Sequence, residues 1–272
     1  MSLKQRIHRG ETTIGSWITL AHPAIAEIMA RAGFDWLAVD LEHSVITIRE
    51  AEELIRIIEL CGVTPLVRLS ANDPTQIKRV MDAGAHGVIV PMVNSQHEAE
   101  QAVASVYYPT RGRRGVGLAR AQGYGTRFAE YLAWLAREAI VIVQIEHIQA
   151  VEQLEPILSV EGIDGILVGP YDLSGSLGVP GEFDHPSVLE ALTKIQRLAA
   201  RRRIAAGYHV IPPEPARVQQ MIQRGYRFIG YSADMLLLGH MCRTGVQAIK
   251  QTAVPRRVPR ASRRASARAV AR

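Results

Sequence analysis

Cysteine is nearly absent from this chain of 272 residues: Cys61 and Cys242 are the only two. A disulfide framework or a cysteine-built zinc site needs more thiols at closer spacing, so both are excluded, and the pair reads as buried free thiols. Long hydrophobic runs are missing as well. No stretch approaches the length needed to span a bilayer, and Met1 to Gly15 is polar and charged with no apolar segment of the kind that directs secretion. A soluble, cytoplasmic protein with no membrane partner is expected. At 47% hydrophobic residues the chain can bury a large core, which excludes disordered and fibrous classes.

Acidic residues are missing from one segment only. From Val254 onward there are seven arginines and no acid, and without that segment the net charge falls from +6 to −1. The body is therefore close to neutral, and the basic balance belongs to residues 254–272. Their Arg, Ala, Ser, Val and Pro composition predicts a disordered tail attached to a folded domain spanning residues 1–253. Such a tail attracts polyanions without selectivity, and it has no aromatic side chains to stack on bases, so no specific nucleic-acid partner is expected.

What the body does contain is a strand-then-helix rhythm. Short aliphatic runs bounded by Gly, Pro or charge read as strands buried on both faces. They fall at Ile14 to Leu20, Trp36 to Asp40, Pro65 to Leu69, Gly87 to Pro91, Ile140 to Glu146, Gly165 to Gly169, Ile204 to His209 and Arg227 to Tyr231. Helical spacing and caps place helices at Pro23 to Ala32, Thr47 to Cys61, Pro74 to Ala83, Ser95 to Val106, Ala150 to Ser159, Pro186 to Arg201 and Pro213 to Arg224, several of them followed by Gly. Eight strands alternating with helices predict a (β/α)8 TIM barrel. One longer insertion, Tyr107 to Arg137, is rich in Arg and Gly and is expected to form an ordered loop over the barrel mouth.

Two carboxylates stand out against that frame. Glu146 ends the run Val141 to Ile145, and Asp172 follows Ile166 to Pro170. One β-α-β unit separates them, so they end neighbouring strands on the rim where a parallel barrel carries its chemistry. Two hard oxygen donors on one rim suit an octahedral divalent ion. Solvated or helix-capping acids are the alternative. The remaining strand ends collect Trp17 and Thr19, Asp40 with Glu42 and His43, Arg68, Pro91, His209, and Ser232 with Asp234. His43, three residues after Asp40, reads as a proton donor or acceptor oriented by that carboxylate, or as a solvated loop residue. Arg68 interrupts an aliphatic strand and must face an anion, either a substrate or Asp40 or Glu42.

Taken together, Phe34 through His43, Pro65 through Arg68 with Asn72-Asp73-Pro74, Val90 through Val93, Tyr108-Pro109 with Arg114 through Gly117, Gln144-Ile145-Glu146, and Val168 through Ser174 resemble the HpcH/HpaI aldolase family of metal-dependent, class II pyruvate aldolases. The resemblance runs in order from about Gly15 to Gly245. It implies that Glu146 and Asp172 hold Mg²⁺, Mn²⁺ or Co²⁺, and that the chain reversibly cleaves a 4-hydroxy-2-oxo acid, of sugar-acid or dicarboxylic type, to pyruvate and an aldehyde. It further implies that Gln144 lies beside the metal while backbone amides from Gly169 through Pro170 and Tyr171 to Asp172 bind the pyruvate carboxylate. Arg68 would neutralise the developing enolate, His43 oriented by Asp40 would move the hydroxyl proton, Trp17 would wall the pocket, and Glu42 and Asp82 would support these groups. The aldehyde side would be shaped by Gly117 to Tyr124 and His209 to Pro213. A homo-oligomer, hexamer or trimer, is also implied, with Leu236 to Thr252 packing on a neighbour.

The four lysines, Lys4, Lys78, Lys194 and Lys250, fall in helical or terminal segments rather than at strand ends, which argues against a Schiff-base aldolase. Two other readings remain: an acyl-CoA lyase of the malyl or citryl type from the same superfamily, and a non-catalytic metabolite-binding barrel.

Overall fold

The computed structural model describes residues 1–253, so the Arg-rich segment 254–272 lies outside the described residues. Eight parallel strands close a barrel in sequence order: β1 Thr13–Ile18, β2 Trp36–Asp40, β3 Thr64–Arg68, β4 Gly87–Val90, β5 Ile140–Ile145, β6 Gly165–Val168, β7 Ala205–Val210 and β8 Phe228–Ala233. This is the (β/α)8 TIM barrel. All residues of β2, β4, β5 and β6 are buried, as strands covered on both faces must be.

Side chains fill the barrel interior. The indole of Trp36 stacks on Phe228 at 4.3 Å between centroids, and Trp17 meets Trp36 edge-on at 5.9 Å. A Cβ on Gly15 would lie 1.9 Å from the Trp36 ring, so only glycine at that place in β1 admits an indole into the core. A second apolar layer separates the barrel from the surrounding helices.

The helices begin where local chemistry predicts. In α3 (Ile48–Leu60) Thr47 and Glu50 cap each other reciprocally, and Asp73 accepts from the Thr75 and Gln76 N–H groups at the start of α4 (Pro74–Asp82). The stretch expected as one helix over 150–159 is two short ones, α7 (Ile148–Glu152) and α8 (Leu154–Leu158). Pro156 lacks the N–H that would bond the Glu152 carbonyl, which breaks the ladder there.

Two further expectations need correction. The insertion after α5 (Gln96–Val106) forms a 3₁₀ turn, Arg120–Gly125, and helix α6 (Phe128–Glu138), but it is not a cover for this chain's mouth. Arg120 bonds the Ala83 carbonyl and Glu59, Gln122 bonds Asp82, and Trp134 lies 5.0 Å from His86. Those partners end α3 and α4 or precede β4, on the face where strands start. A segment joining a helix to the next strand belongs to that face by connectivity. Neither cysteine is buried: Cys61 is half-buried and Cys242 exposed.

The N-terminal helix α1 (Leu3–His8) was not anticipated. It lays Leu3 and Ile7 into the cluster inside the barrel and buries the Lys4 ammonium, which bonds the Ala139 carbonyl at 2.5 Å and Asp164 at 3.0 Å. The compact unit is Met1–Leu237, and the described residues 238–253 belong to a second unit; helix α12 is Asp234–Ala253. No described helix is long and apolar enough to cross a membrane.

Removing one partner of a buried ion pair leaves the other short of charge, here Asp164 with His8 at 2.7 Å and the Val141 N–H as its remaining partners. Lys4→Ala is therefore expected to lower stability by about 3 kcal/mol in urea denaturation, and Lys4→Met with Asp164→Asn to lose less than Lys4→Ala alone.

Candidate active site

The C-terminal ends of the strands surround a cavity of about 230 Å³ lined by Asp40, Arg68, Gln144, Glu146, Asp172, Trp17 and His209 among others. Backbone register sets these positions. Asp40 and Arg68 are paired residues closing β2 and β3, and their side chains meet in a double hydrogen bond, Nε to Oδ1 at 2.8 Å and Nη2 to Oδ2 at 2.6 Å. Burial pushes the Asp40 carboxyl up, but these hydrogen bonds and the Arg68 charge outweigh it and hold it below its ordinary value. Arg68 also reaches Glu42 Oε2 at 3.3 Å and rests over the Trp17 indole, 4.4 Å from its centroid.

One sequence reading of this group needs revision. Asp40 does not hold the His43 imidazole. Its Oδ1 accepts from the backbone N–H groups of Glu42 and His43, because its outer face is occupied by Arg68. The exposed His43 ring has Glu42 Oε2 as its acidic neighbour, 3.7 Å away. Asp82 is also displaced from its expected place: it closes α4 on the opposite rim, beside Gln122.

Glu146 is 3% exposed. The Met92 N–H donates to its Oε1 at 2.7 Å and Gln144 Nε2 to its Oε2 at 2.5 Å. Met92 takes a left-handed conformation, φ 51°, a strained state for a non-glycine residue that turns its N–H into the site. This donor was missed in the sequence, where Pro91 was taken as the strand end. Gly169, at the other side, has no room for a side chain: a Cβ would sit 2.5 Å from Glu146 Oε2. It opens helix α9 (Pro170–Ser176), whose first turn carries Asp172. Pro170 has no N–H, so the free donors there are those of Tyr171 and Asp172.

The charge balance is unfavourable as it stands. Burial pushes Glu146 up to about 7, opposed by the Met92 N–H and reinforced by Glu42 and Asp172. Burial likewise lifts Glu42 to about 7 against the pull of Arg68, with Asp40 and Asp172 adding to the rise. Gln144 Oε1 is buried without a partner. An orphaned hard oxygen beside buried carboxylates that resist ionisation is the donor set a small divalent cation would satisfy. Among the described residues no cluster of three or more His, Cys, Asp or Glu side chains is arranged to hold a metal; Glu146 and Asp172 are the two carboxylates that would hold one.

Carboxylates and one buried guanidinium line the C-terminal mouth of a TIM barrel. The family model described as HpcH/HpaI aldolase/citrate lyase matches residues 13–240. The 2-keto-3-deoxy-L-rhamnonate aldolase of Escherichia coli (strain K12) is 37% identical over 237 residues, covering 86% of this chain and 87% of that protein. An HpcH/HpaI aldolase/citrate lyase family protein from Burkholderia cenocepacia J2315 superposes with a TM-score of 0.87 at 33% identity, covering 91% of this chain and 98% of that one. An HpcH/HpaI aldolase from Desulfitobacterium hafniense DCB-2 gives 0.85 at 33%, covering 95% and 100%. The chain belongs to the HpcH/HpaI aldolase/citrate lyase family. It is an aldolase, a carbon–carbon lyase; the family generally depends on a divalent metal.

Two outcomes follow from this geometry. Gly169→Ala should cut turnover by about 10²-fold or more while leaving the thermal transition nearly intact, since the added methyl displaces Glu146 rather than core. In chelator, Glu146 holds its proton in the folded state between about pH 4.5 and about 7, where the unfolded chain has released it. Its contribution is therefore full below pH 4.5 and lost as pH rises through 7. Relative to wild type, Glu146→Gln should gain up to about 3 kcal/mol across that interval, read by denaturant titration at each pH.

Proposed function

We propose that the substrate, a 4-hydroxy-2-oxo acid, is cleaved to pyruvate and an aldehyde by Glu146, Asp172, Arg68 and His43, with Glu146 and Asp172 holding Mg²⁺, Mn²⁺ or Co²⁺. The observation that carries this reading is the buried, uncompensated Glu146 beside Asp172, with the Gln144 oxygen left without a partner. When bound, the ion supplies a Lewis acid for the keto oxygen, where negative charge develops as the carbon–carbon bond breaks.

The chain's own groups do the rest. The Tyr171 and Asp172 N–H groups receive the substrate carboxylate, and Gln144 fixes the rotamer of Glu146. The imidazole of His43 takes the proton from the 4-hydroxyl as the bond between C3 and C4 opens; the electron pair moves onto the pyruvate half, which gains a proton at C3. Arg68 places a fixed positive charge beside that half, and Asp40 sets its angle through both hydrogen bonds. A preorganised guanidinium in a partly closed site is worth more than the same charge in water. Glu42 accompanies His43 and Arg68 as a further carboxylate near the moving proton.

The exposed apolar side chains Leu238, Met241 and Val246 on the last helix support a homo-oligomer, trimer or hexamer, formed with copies of this chain. A cytoplasmic location remains the proposal.

The reaction is tested by pyruvate release from 4-hydroxy-2-oxo acids with Mg²⁺ or Mn²⁺, and again in EDTA. Release should vanish in EDTA and in Glu146→Ala, and Arg68→Ala should lose about 10²- to 10³-fold in kcat, with Arg68→Lys recovering little because it cannot make the bidentate contact. Metal-independent release, or none from a folded protein, would sink the reading.

A further inference from the structure

Helices α4 and α5 pack against each other outside the barrel, and the chain after α5 folds back along them. The Arg113 N–H donates to the Ala104 carbonyl, and Gly115 passes close to the Lys78 side chain. Between them lies a groove of about 330 Å³ lined by Lys78, His97, Gln101, Ser105, Arg113 and Arg114 among others, and none of its lining residues is an acid. It shares no residue with the cavity at the barrel mouth. The acids nearest in sequence are engaged elsewhere. Asp73 caps α4, Glu98 accepts from the Asn94 N–H, Glu100 accepts from Gln96 Nε2, and Asp82, one turn after Lys78, meets Gln122 instead. Lys78 and Arg113 are exposed, and neither forms an ion pair among the described residues. Arg114 deepens the imbalance. It is 3% exposed; Nη2 donates to the Tyr131 hydroxyl at 2.7 Å, and the guanidinium lies 4.2 Å from the centre of the Tyr108 ring. Its Nε and Nη1 find no acceptor, and no carboxylate pairs with it. A buried guanidinium is ordinarily matched by an anion, and a hydroxyl and two ring faces offset only part of that charge.

We propose that this groove is an anion-binding site that receives the phosphate of a small hydroxylated metabolite between Lys78 and Arg113, with the buried Arg114 charge behind them. Nε and Nη1 of Arg114 are sealed from solvent, so the anion does not touch them; it feels that charge through protein of low dielectric, while Lys78 and Arg113 supply the direct contacts. Phosphate suits the site better than a carboxylate because it carries about −1.5 to −2 charge at neutral pH, against three cations. Thr75, Gln101 and Ser105 also line the groove, a surface that suits hydroxyls rather than an apolar chain. The inference is independent of the aldolase reading, since no residue of the catalytic cavity takes part.

The test is calorimetric titration of inorganic phosphate and of glycerol 3-phosphate into the full-length chain at physiological salt. The arginines of residues 254–272 and the catalytic site also attract phosphate, and both stay intact in the double variant Lys78→Gln with Arg113→Gln, which changes only exposed side chains. Wild type should bind both probes, glycerol 3-phosphate the more tightly, and the double variant should lose about 10-fold or more in affinity with its thermal transition unchanged. Lys78→Arg should keep most of the binding. Arg114→Met, which removes the charge behind the site without removing a contact, should weaken it about 3-fold; should that buried change prevent folding, the double variant still decides. Equal affinity in wild type and double variant, or displacement of phosphate by chloride at constant ionic strength, means an adventitious ion only and overturns the inference. A double variant that dissociates into smaller assemblies by light scattering assigns the groove to an acidic side chain of a second copy, and overturns it as well.

Discussion

One guanidinium stands among four carboxylates at the barrel mouth. Arg68 is within electrostatic reach of Asp40, Glu42 and Glu146, and Asp172 adds its charge to Glu42 and Glu146. Asp40 takes most of Arg68 through its two hydrogen bonds, which leaves Glu42 and Glu146 short of positive charge in a poorly solvated space. Low dielectric magnifies each uncompensated interaction. The rest of the site can be seen as scaffolding for that imbalance: a backbone N–H and an amide hold Glu146, and a glycine makes room for it.

The same rigidity reaches downward into the barrel. Phe228, Trp36 and Trp17 contact one another in succession, and Trp17 then carries Arg68 on its face and His209 at its edge. A close-packed interior transmits position, so site and core residues are not separable in this fold. Gly15 belongs to both, since its missing side chain admits Trp36 and thereby seats everything stacked above.

Much of this was legible in the sequence. Aliphatic runs such as Ile140 to Ile145 announce strands buried on both sides, and the charged residues at or just past the ends of such runs, Glu146, Asp172 and Arg68, line the cavity at the barrel mouth. What escaped depends on directions that residue identity does not encode. The spacing of Asp40 and His43 suggested a carboxylate holding an imidazole, whereas Arg68, 28 positions away, claims that carboxylate first. The bond between Trp17 and His209 spans 192 positions, and closure of the barrel creates it. The insertion after α5 could have been placed correctly, because a helix-to-strand connection always ends on the rim where strands begin.

The contact from Met92 to Glu146 has a consequence for how such a site can vary. The donor is a main-chain N–H, so substitution at position 92 by any residue except proline keeps the atom that matters, and glycine would keep it with less strain. What inheritance must preserve there is a dihedral angle, φ 51°, specified by the surrounding chain. Position 92 is therefore free to drift in identity while its role stays fixed, and a search for functional residues by side-chain type passes over it.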